Sequence, residues 1–221
     1  MTKEITRQVI VIDDDFSVRR SLHSLLMTLG YQVCLYDSAE DLLTQSLPQP
    51  PAVILLDMRM PGLSGVELQS KLKMLGLTMP IVFMSGESRP EEIIAAMKQG
   101  ASDFLLKPFS EKQLQQALSN AMTLSEDAYR IEHTRQSVLK RLGKLTPREL
   151  EVCKLMQLGY KNSQISELTG AASSTIKLHR ARVLEKMEVA TLADLVEICK
   201  DVSLQEFATD SSHQSRLSHR R

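Results

Sequence analysis

The chain has 221 residues, 27 Lys/Arg against 27 Asp/Glu, 43% hydrophobic residues, no Trp and three Cys. That is enough chain for two modest domains with an ordinary core, and a formal net charge of zero by itself selects neither nucleic acid nor a membrane as partner. Cys34, Cys153 and Cys199 show no CxxC or Cys/His ligand spacing, which argues against a disulfide framework or zinc site and for buried thiols in a reducing compartment. No apolar run approaches a membrane span and no long apolar stretch opens the chain, so a cytoplasmic protein without membrane association is expected.

Through the first half, short apolar runs at 9–12, 33–35, 52–56, 81–84 and 104–106 alternate with segments of helical spacing. Val18, Leu22, Leu25, Leu26 and Leu29 are closed by Gly30. Val66, Leu68, Leu72 and Leu75 are closed by Gly76. Ile93, Ile94 and Met97 are closed by Gly100. Strands alternating with helices predict βαβ units and a parallel sheet, and runs apolar at every position suit strands buried on both faces.

The residues that follow these runs carry the chemistry. Asp13, Asp14 and Asp15 follow the first, Asp57 the third, Ser85 the fourth, and Lys107 with Pro108 the fifth. All stand at carboxyl ends of strands, where an open parallel sheet binds its ligands. An Asp after a strand is by itself most often a cap or turn residue, so only the joint pattern is informative. Clustered Asp with one Lys and one hydroxyl fits phosphoryl transfer. Carboxylates hold Mg²⁺, one carboxylate can act as nucleophile, and the ammonium and hydroxyl contact phosphoryl oxygens.

The set Asp13-Asp14, "LLDMRMPGLSG" around Asp57, "MSGE" at Ser85 and "DFLLKPF" at Lys107 resembles a response-regulator receiver domain over residues 5–125. The resemblance implies an α/β, doubly wound (βα)₅ parallel sheet with strand order 2-1-3-4-5. It implies Asp57 as phospho-acceptor and Mg²⁺ held by Asp14, Asp57 and the backbone carbonyl of Arg59, with Asp13 acting through a water. Ser85 would reach the phosphoryl group, Phe104 would be the switch aromatic, Lys107 would pair with acceptor and phosphoryl, and the Lys107–Pro108 peptide would be cis. Many receivers carry Thr where Ser85 stands. Arg59 and Glu87, two residues beyond Asp57 and Ser85, are expected to pair over the phosphoryl group, obstruct the attacking water and lengthen its lifetime; solvated surface charges are the competing reading.

Residues 110–142 read as one long helix. Leu114, Ala117, Ala121, Leu124, Ala128 and Ile131 step by three and four, a short seam: either its first turns pack on the sheet and the rest is a solvated linker helix, or the helix extends past the receiver and pairs with a second chain. Thr146-Pro147-Arg148-Glu149 is a capping box with Pro at the first helical position. Short helices follow: Leu150, Val152, Cys153, Met156 and Leu158 give the first, closed by Gly159; Ser163–Leu168 is the second, with Ile165 and Leu168 facing inward; a third, capped by Ser173 or Ser174, has Ile176, Val183, Leu184 and Met187 as its buried stripe; Thr191–Cys199 is the fourth, with Leu192, Leu195, Val196 and Ile198. Two short helices joined by a Gly-containing turn make a helix-turn-helix arrangement, and the third helix carries a basic outer face. "LTPRELEV", "NSQISELTG", "SSTIKLHRARVLEKM" and "LADLV" resemble a LuxR-type DNA-binding domain, and the whole resembles the NarL/FixJ class of response regulators, most like its FixJ branch.

That class implies base-edge contacts from Lys177, Leu178 and Ala181, and phosphate contacts from Ser174, Thr175, His179, Arg180 and Lys161. The expected organisation is a receiver over 1–125, a helical linker over 126–143, an all-α four-helix LuxR-type domain over 144–200 and a disordered tail over 201–221. The expected function is a transcription regulator gated by phosphorylation. Its partners would be a sensor histidine kinase, promoter DNA and a second copy when phosphorylated, with RNA polymerase a candidate contact. It would be no enzyme beyond its own phosphoryl transfer and dephosphorylation. An aspartate-nucleophile phosphatase would want a second Asp where Arg59 stands, and a receiver that only dimerises would have no need of the intact acidic set.

Overall fold

A computed structural model describes residues 6–45, 48, 50–86, 89–200 and 202. The chain divides into two compact units, Met1–Arg130 and Ile131–Arg221. In the first, β1 (Gln8–Ile12), β2 (Gln32–Tyr36), β3 (Ala52–Asp57), β4 (Ile81–Ser85) and β5 (Asp103–Leu106) alternate with α1 (Phe16–Thr28), α2 (Ala39–Thr44), α3 (Gly65–Met74), α4 (Pro90–Lys98) and the start of α5 (Glu111–Leu142). All strands are parallel in the order β2-β1-β3-β4-β5, the expected topology.

Because side chains alternate across a strand, the apolar runs split into two layers. Ile10, Ile12, Ile54, Leu56 and Phe83 pack with Leu42, Leu68 and Leu72 on one face. Val9, Val11, Val53, Leu55, Val82 and Met84 pack with Leu22 and Leu26 of α1 and Leu114 and Leu118 of α5 on the other. The edges are less covered, with Leu35 of β2 40% and Leu106 of β5 58% exposed. Register sets the carboxyl ends level: Ile12 pairs with Tyr36 and Leu56, Asp57 with Met84 and Ser85 with Leu106. Gly65, at the start of α3, is required sterically, since a Cβ there would lie 2.5 Å from the Asp57 carbonyl oxygen.

The seam on α5 divides. Leu114, Ala117 and Ala121 are buried, whereas Leu124 and Ile131 are 56% and 62% exposed and Ala128 is exposed. A helix of 3.6 residues per turn carries its buried stripe onto Leu118, Met122 and Ser125 instead. Ser125 Oγ donates to the carbonyl and accepts from the N–H of Ala52, the first residue of β3, both at 2.9 Å.

The second unit packs Val138 and Leu142 of α5 with α6 (Pro147–Gln157), α7 (Asn162–Thr169), α8 (Ser173–Lys186) and α9 (Leu192–Cys199) around Val152, Cys153, Met156, Ile165, Ile176, Val183, Met187, Leu195 and Cys199. Val202 joins this core, two residues past the expected boundary; the rest of the expected tail lies outside the described residues. Thr146 and Glu149 form the expected capping box. Two expectations are corrected, the inward position of Leu168 and the cap of α8. Leu158 and Leu168 are 70% and 61% exposed, because each sits in the last turn or cap of a short helix, beyond the reach of the core. Val196 is 42% exposed, and Cys199, a turn below Leu195, takes the inward position. The cap of α8 is Ala172 with no side-chain bond, since Ser173 and Ser174 already lie inside the helix.

Candidate metal centre and nucleic-acid interface

Each side chain of the acidic site comes from a strand end. Asp13 follows β1, is fully buried, and uses both oxygens: Oδ1 accepts the Asp15 N–H at 2.9 Å and Oδ2 accepts from Lys107 Nζ at 2.7 Å. Asp57 closes β3 with its side chain 13% exposed; Oδ2 accepts from the same Lys107 Nζ at 2.8 Å and Oδ1 from the Arg59 N–H at 3.2 Å. Lys107 is held by its N–H, which donates to the Ser85 carbonyl at 2.8 Å, and the Lys107–Pro108 peptide is cis, as the resemblance implies. One ammonium thus bridges two carboxylates from strands fifty or more residues away.

Asp14 is exposed beside them, and ligand oxygens of Asp13, Asp14 and Asp57 all lie within 4.8 Å of one another. Three hard oxygen donors at that spacing suit a small divalent cation. Burial, the dominant influence, pushes the Asp13 carboxyl up, and Lys107 only partly reverses it. Burial would lower Lys107, but its bonds to Asp13 and Asp57 outweigh it and raise it. The cluster therefore holds a charged lysine and a buried carboxylate that one cation does not satisfy.

Ser85 is 1% exposed at the end of β4, and Phe104 of β5 is partly buried against the core. Asp15 is not part of the cluster: it caps α1, accepting from the N–H groups of Ser17 and Val18. Two contacts were not legible in the sequence. Arg19 Nη1 donates to the Asp13 carbonyl at 2.7 Å, and the guanidinium carbon of Arg19 lies 5.8 Å from the Phe16 ring centroid. Arg59 Nη2 reaches Glu92 on α4 at 3.3 Å. The Arg59–Glu87 pairing cannot be placed, since Glu87 lies outside the described residues.

The other expected surface lies on α8. Ser174, Thr175, Lys177, Leu178 and Ala181 are exposed, Leu178 by 50%, and Lys161 at the start of α7 is exposed. His179 and Arg180 are half-buried; Arg180 Nη1 donates to the Tyr160 carbonyl at 3.4 Å, and His179 Nδ1 is buried with no hydrogen-bond partner. The turn from α7 to α8 is fixed by Gly170 at φ 66°, by Ser166 Oγ donating to the Ala171 carbonyl and by Arg148 donating to the Thr169 carbonyl, both at 2.6 Å. Lys186, on the same helix, is drawn away from the outer face. It donates to Glu149 Oε2 at 2.6 Å, and Glu149 is 2% exposed.

A 2-1-3-4-5 parallel sheet with Asp, Lys and Ser converging at its carboxyl edge, followed by a helix-turn-helix unit, defines a receiver coupled to a DNA-binding domain. The family described as response regulator receiver domain matches residues 9–119, and that described as bacterial regulatory proteins, luxR family, matches 143–199. The chain belongs to the two-component response regulators that join these two domains and regulate transcription. It is 39% identical over 186 residues to the tetrathionate response regulatory protein TtrR of Salmonella typhimurium, covering 84% of this chain and 88% of that one. It is 37% identical to the transcriptional regulatory protein FixJ of Azorhizobium caulinodans, over 86% of this chain and 90% of FixJ. Among solved structures it resembles the response regulator StyR, with 36% identity, a TM-score of 0.80 and coverage of 88% of this chain and 98% of StyR.

Proposed function

We propose that Asp57 accepts a phosphoryl group from a sensor histidine kinase, and that this modification gates dimerisation and promoter binding. The observation that carries the proposal is the Lys107 ammonium bridging Asp13 and Asp57 at 2.7 and 2.8 Å with Asp14 beside them. The donor set fits Mg²⁺: Asp14, Asp57 and the Arg59 carbonyl would hold it directly and Asp13 through water. When bound it would neutralise phosphoryl charge.

The residues of the chain do the rest. A carboxylate oxygen of Asp57 attacks phosphorus, the phosphorus–nitrogen bond to the kinase histidine breaks, and the imidazole leaves. Lys107 balances the charge gained by the new acyl phosphate. The Ser85 hydroxyl turns to a phosphoryl oxygen, and Phe104 moves into the space this opens, repacking α4, β5 and the start of α5. That repacked face favours pairing of two receivers and so of two DNA-binding units, a shift between states already present.

On DNA, Lys177, Leu178 and Ala181 would face base edges, while Ser174, Thr175, His179, Arg180 and Lys161 would contact phosphates. We read residues 1–125 as the receiver, 126–143 as linker and 144–200 as the DNA-binding domain, working in the cytoplasm with RNA polymerase as a candidate contact. Incubation of the full chain with acetyl phosphate and Mg²⁺, followed by intact mass, tests the reading. A single phosphate adduct, absent in Asp57→Ala, is expected. Rapid release of inorganic phosphate without adduct would indicate a phosphatase, and no adduct in the parent chain would indicate a receiver that only dimerises.

A further inference from the structure

Arg59 has its backbone N–H on Asp57 Oδ1 at 3.2 Å, so it is fixed beside the proposed acceptor. Its guanidinium turns to α4, where Nη2 donates to Glu92 Oε2 at 3.3 Å. The same oxygen accepts the Arg89 N–H at 3.1 Å, the capping contact of the first turn of α4. The capping bond from Arg89, aided by Arg59, holds the Glu92 carboxyl below its usual range, so it is anionic at neutral pH. One carboxylate therefore ties the loop that follows the acceptor to the start of the helix that follows Ser85.

We infer that Glu92 is a positioning residue for phosphoryl chemistry at Asp57, competing with the phosphoryl group for the Arg59 guanidinium and thereby setting phosphoryl lifetime. The inference rests on the reading of Asp57 as phospho-acceptor. The side chains of Arg59 and Glu92 are 50% and 38% exposed, and ion pairs so exposed are weak. A phosphoryl group on Asp57 brings up to two negative charges to a carboxylate already bonded to the backbone of residue 59, and a guanidinium binds phosphoryl oxygens in bidentate fashion.

Arg59 then has two anions within reach. On the phosphoryl group it covers an approach to phosphorus; on Glu92 it leaves that approach open. In hydrolysis a water oxygen bonds phosphorus, the bond to the Asp57 oxygen breaks, the carboxylate is regenerated and inorganic phosphate leaves. Glu92 speeds this step by drawing Arg59 away. Capture of Arg59 by the phosphoryl group in turn releases one of the bonds at the start of α4, so the same exchange reports the modification to that helix.

The test uses the full chain, labelled with acetyl phosphate and Mg²⁺, with the adduct followed by intact mass after the donor is removed. Glu92→Gln keeps an oxygen for the Arg89 N–H and loses the charge. The adduct of this variant is expected to decay about two- to fivefold more slowly than the parent, and the difference is expected to vanish in an Arg59→Ala background. Equal decay of Glu92→Gln and parent would overturn the inference while leaving Asp57 as acceptor. An undiminished effect in Arg59→Ala would also overturn it, by assigning Glu92 to the helix cap alone. No Asp57-dependent adduct in the parent would overturn both readings.

Discussion

Among the described residues, each unit of this chain buries one carboxylate against one lysine, and the two pairs behave oppositely. In the helical unit, Glu149 takes the Lys186 ammonium at 2.6 Å and the Thr146 N–H at 2.9 Å. Burial alone would raise its carboxyl, yet these bonds overcome it and bring the pKa down to about 2. In the receiver, Asp13 shares the Lys107 ammonium with Asp57, has Asp14 beside it, and burial keeps its carboxyl raised. The first pair is electrostatically complete and works as a staple between α6 and α8. The second sets one ammonium against three carboxylates, an imbalance that suits the cation and phosphoryl group proposed for it.

The contrast breaks most readily at Glu149. Glu149→Gln is expected to destabilise the helical unit by about 2 kcal/mol, read as faster hydrogen exchange in α6 and α8 of the full chain. The depressed pKa gives the sign of the acid response. The stabilisation is complete above the ordinary carboxylate value of 4.5, fades as pH falls towards about 2, and is absent from the variant at every pH. If the variant is as stable as the parent at neutral pH, the staple reading fails.

The outer face of α8 sharpens the comparison, since Lys177 and Arg182 are exposed and Arg180 half-buried there, where Lys186 faces Glu149. Arg180→Ala is expected to weaken DNA binding about tenfold on specific and non-specific sequences alike, and to flatten the dependence of log K on log salt by about one. A loss confined to one sequence would make Arg180 a base reader. In the receiver, Asp13→Asn is expected to raise thermal stability without Mg²⁺, by about 1 kcal/mol, because it removes a charge that burial disfavours. A destabilised variant would show that Lys107 already satisfies Asp13. The smallest effect is expected at the exposed part of the α5 seam, where Leu124→Ala should cost less than about 0.5 kcal/mol of monomer stability. A larger cost would indicate that Leu124 is covered.

Much of this was readable before any coordinates. The continuous apolar runs announced strands buried on both sides, and the polar residue after each run marked the carboxyl edge, so Asp13, Asp57, Ser85 and Lys107 could be brought together from sequence alone. The six residues of α2 are too few to display a helical period, so only the resemblance to a receiver implies that helix. The division of the α5 seam into buried and exposed parts is not legible in the sequence, because a heptad pattern does not encode where the sheet's cover ends. The exposure of Leu168 is not legible in the sequence, because hydrophobicity says nothing of distance from a helix end. The Arg59–Glu92 contact is not legible in the sequence, because only the path of the chain into α4 brings Glu92 within reach of the guanidinium.

The central claim is that Asp13, Asp14 and Asp57 form one incomplete cation site. Titration of Mg²⁺ into the full chain, followed by calorimetry, tests it most directly when the parent is compared with Asp14→Asn and with Glu149→Gln. The account predicts one saturable site per chain, weakened about tenfold or more in Asp14→Asn and unchanged in Glu149→Gln. Equal Mg²⁺ binding by the parent and Asp14→Asn would contradict it.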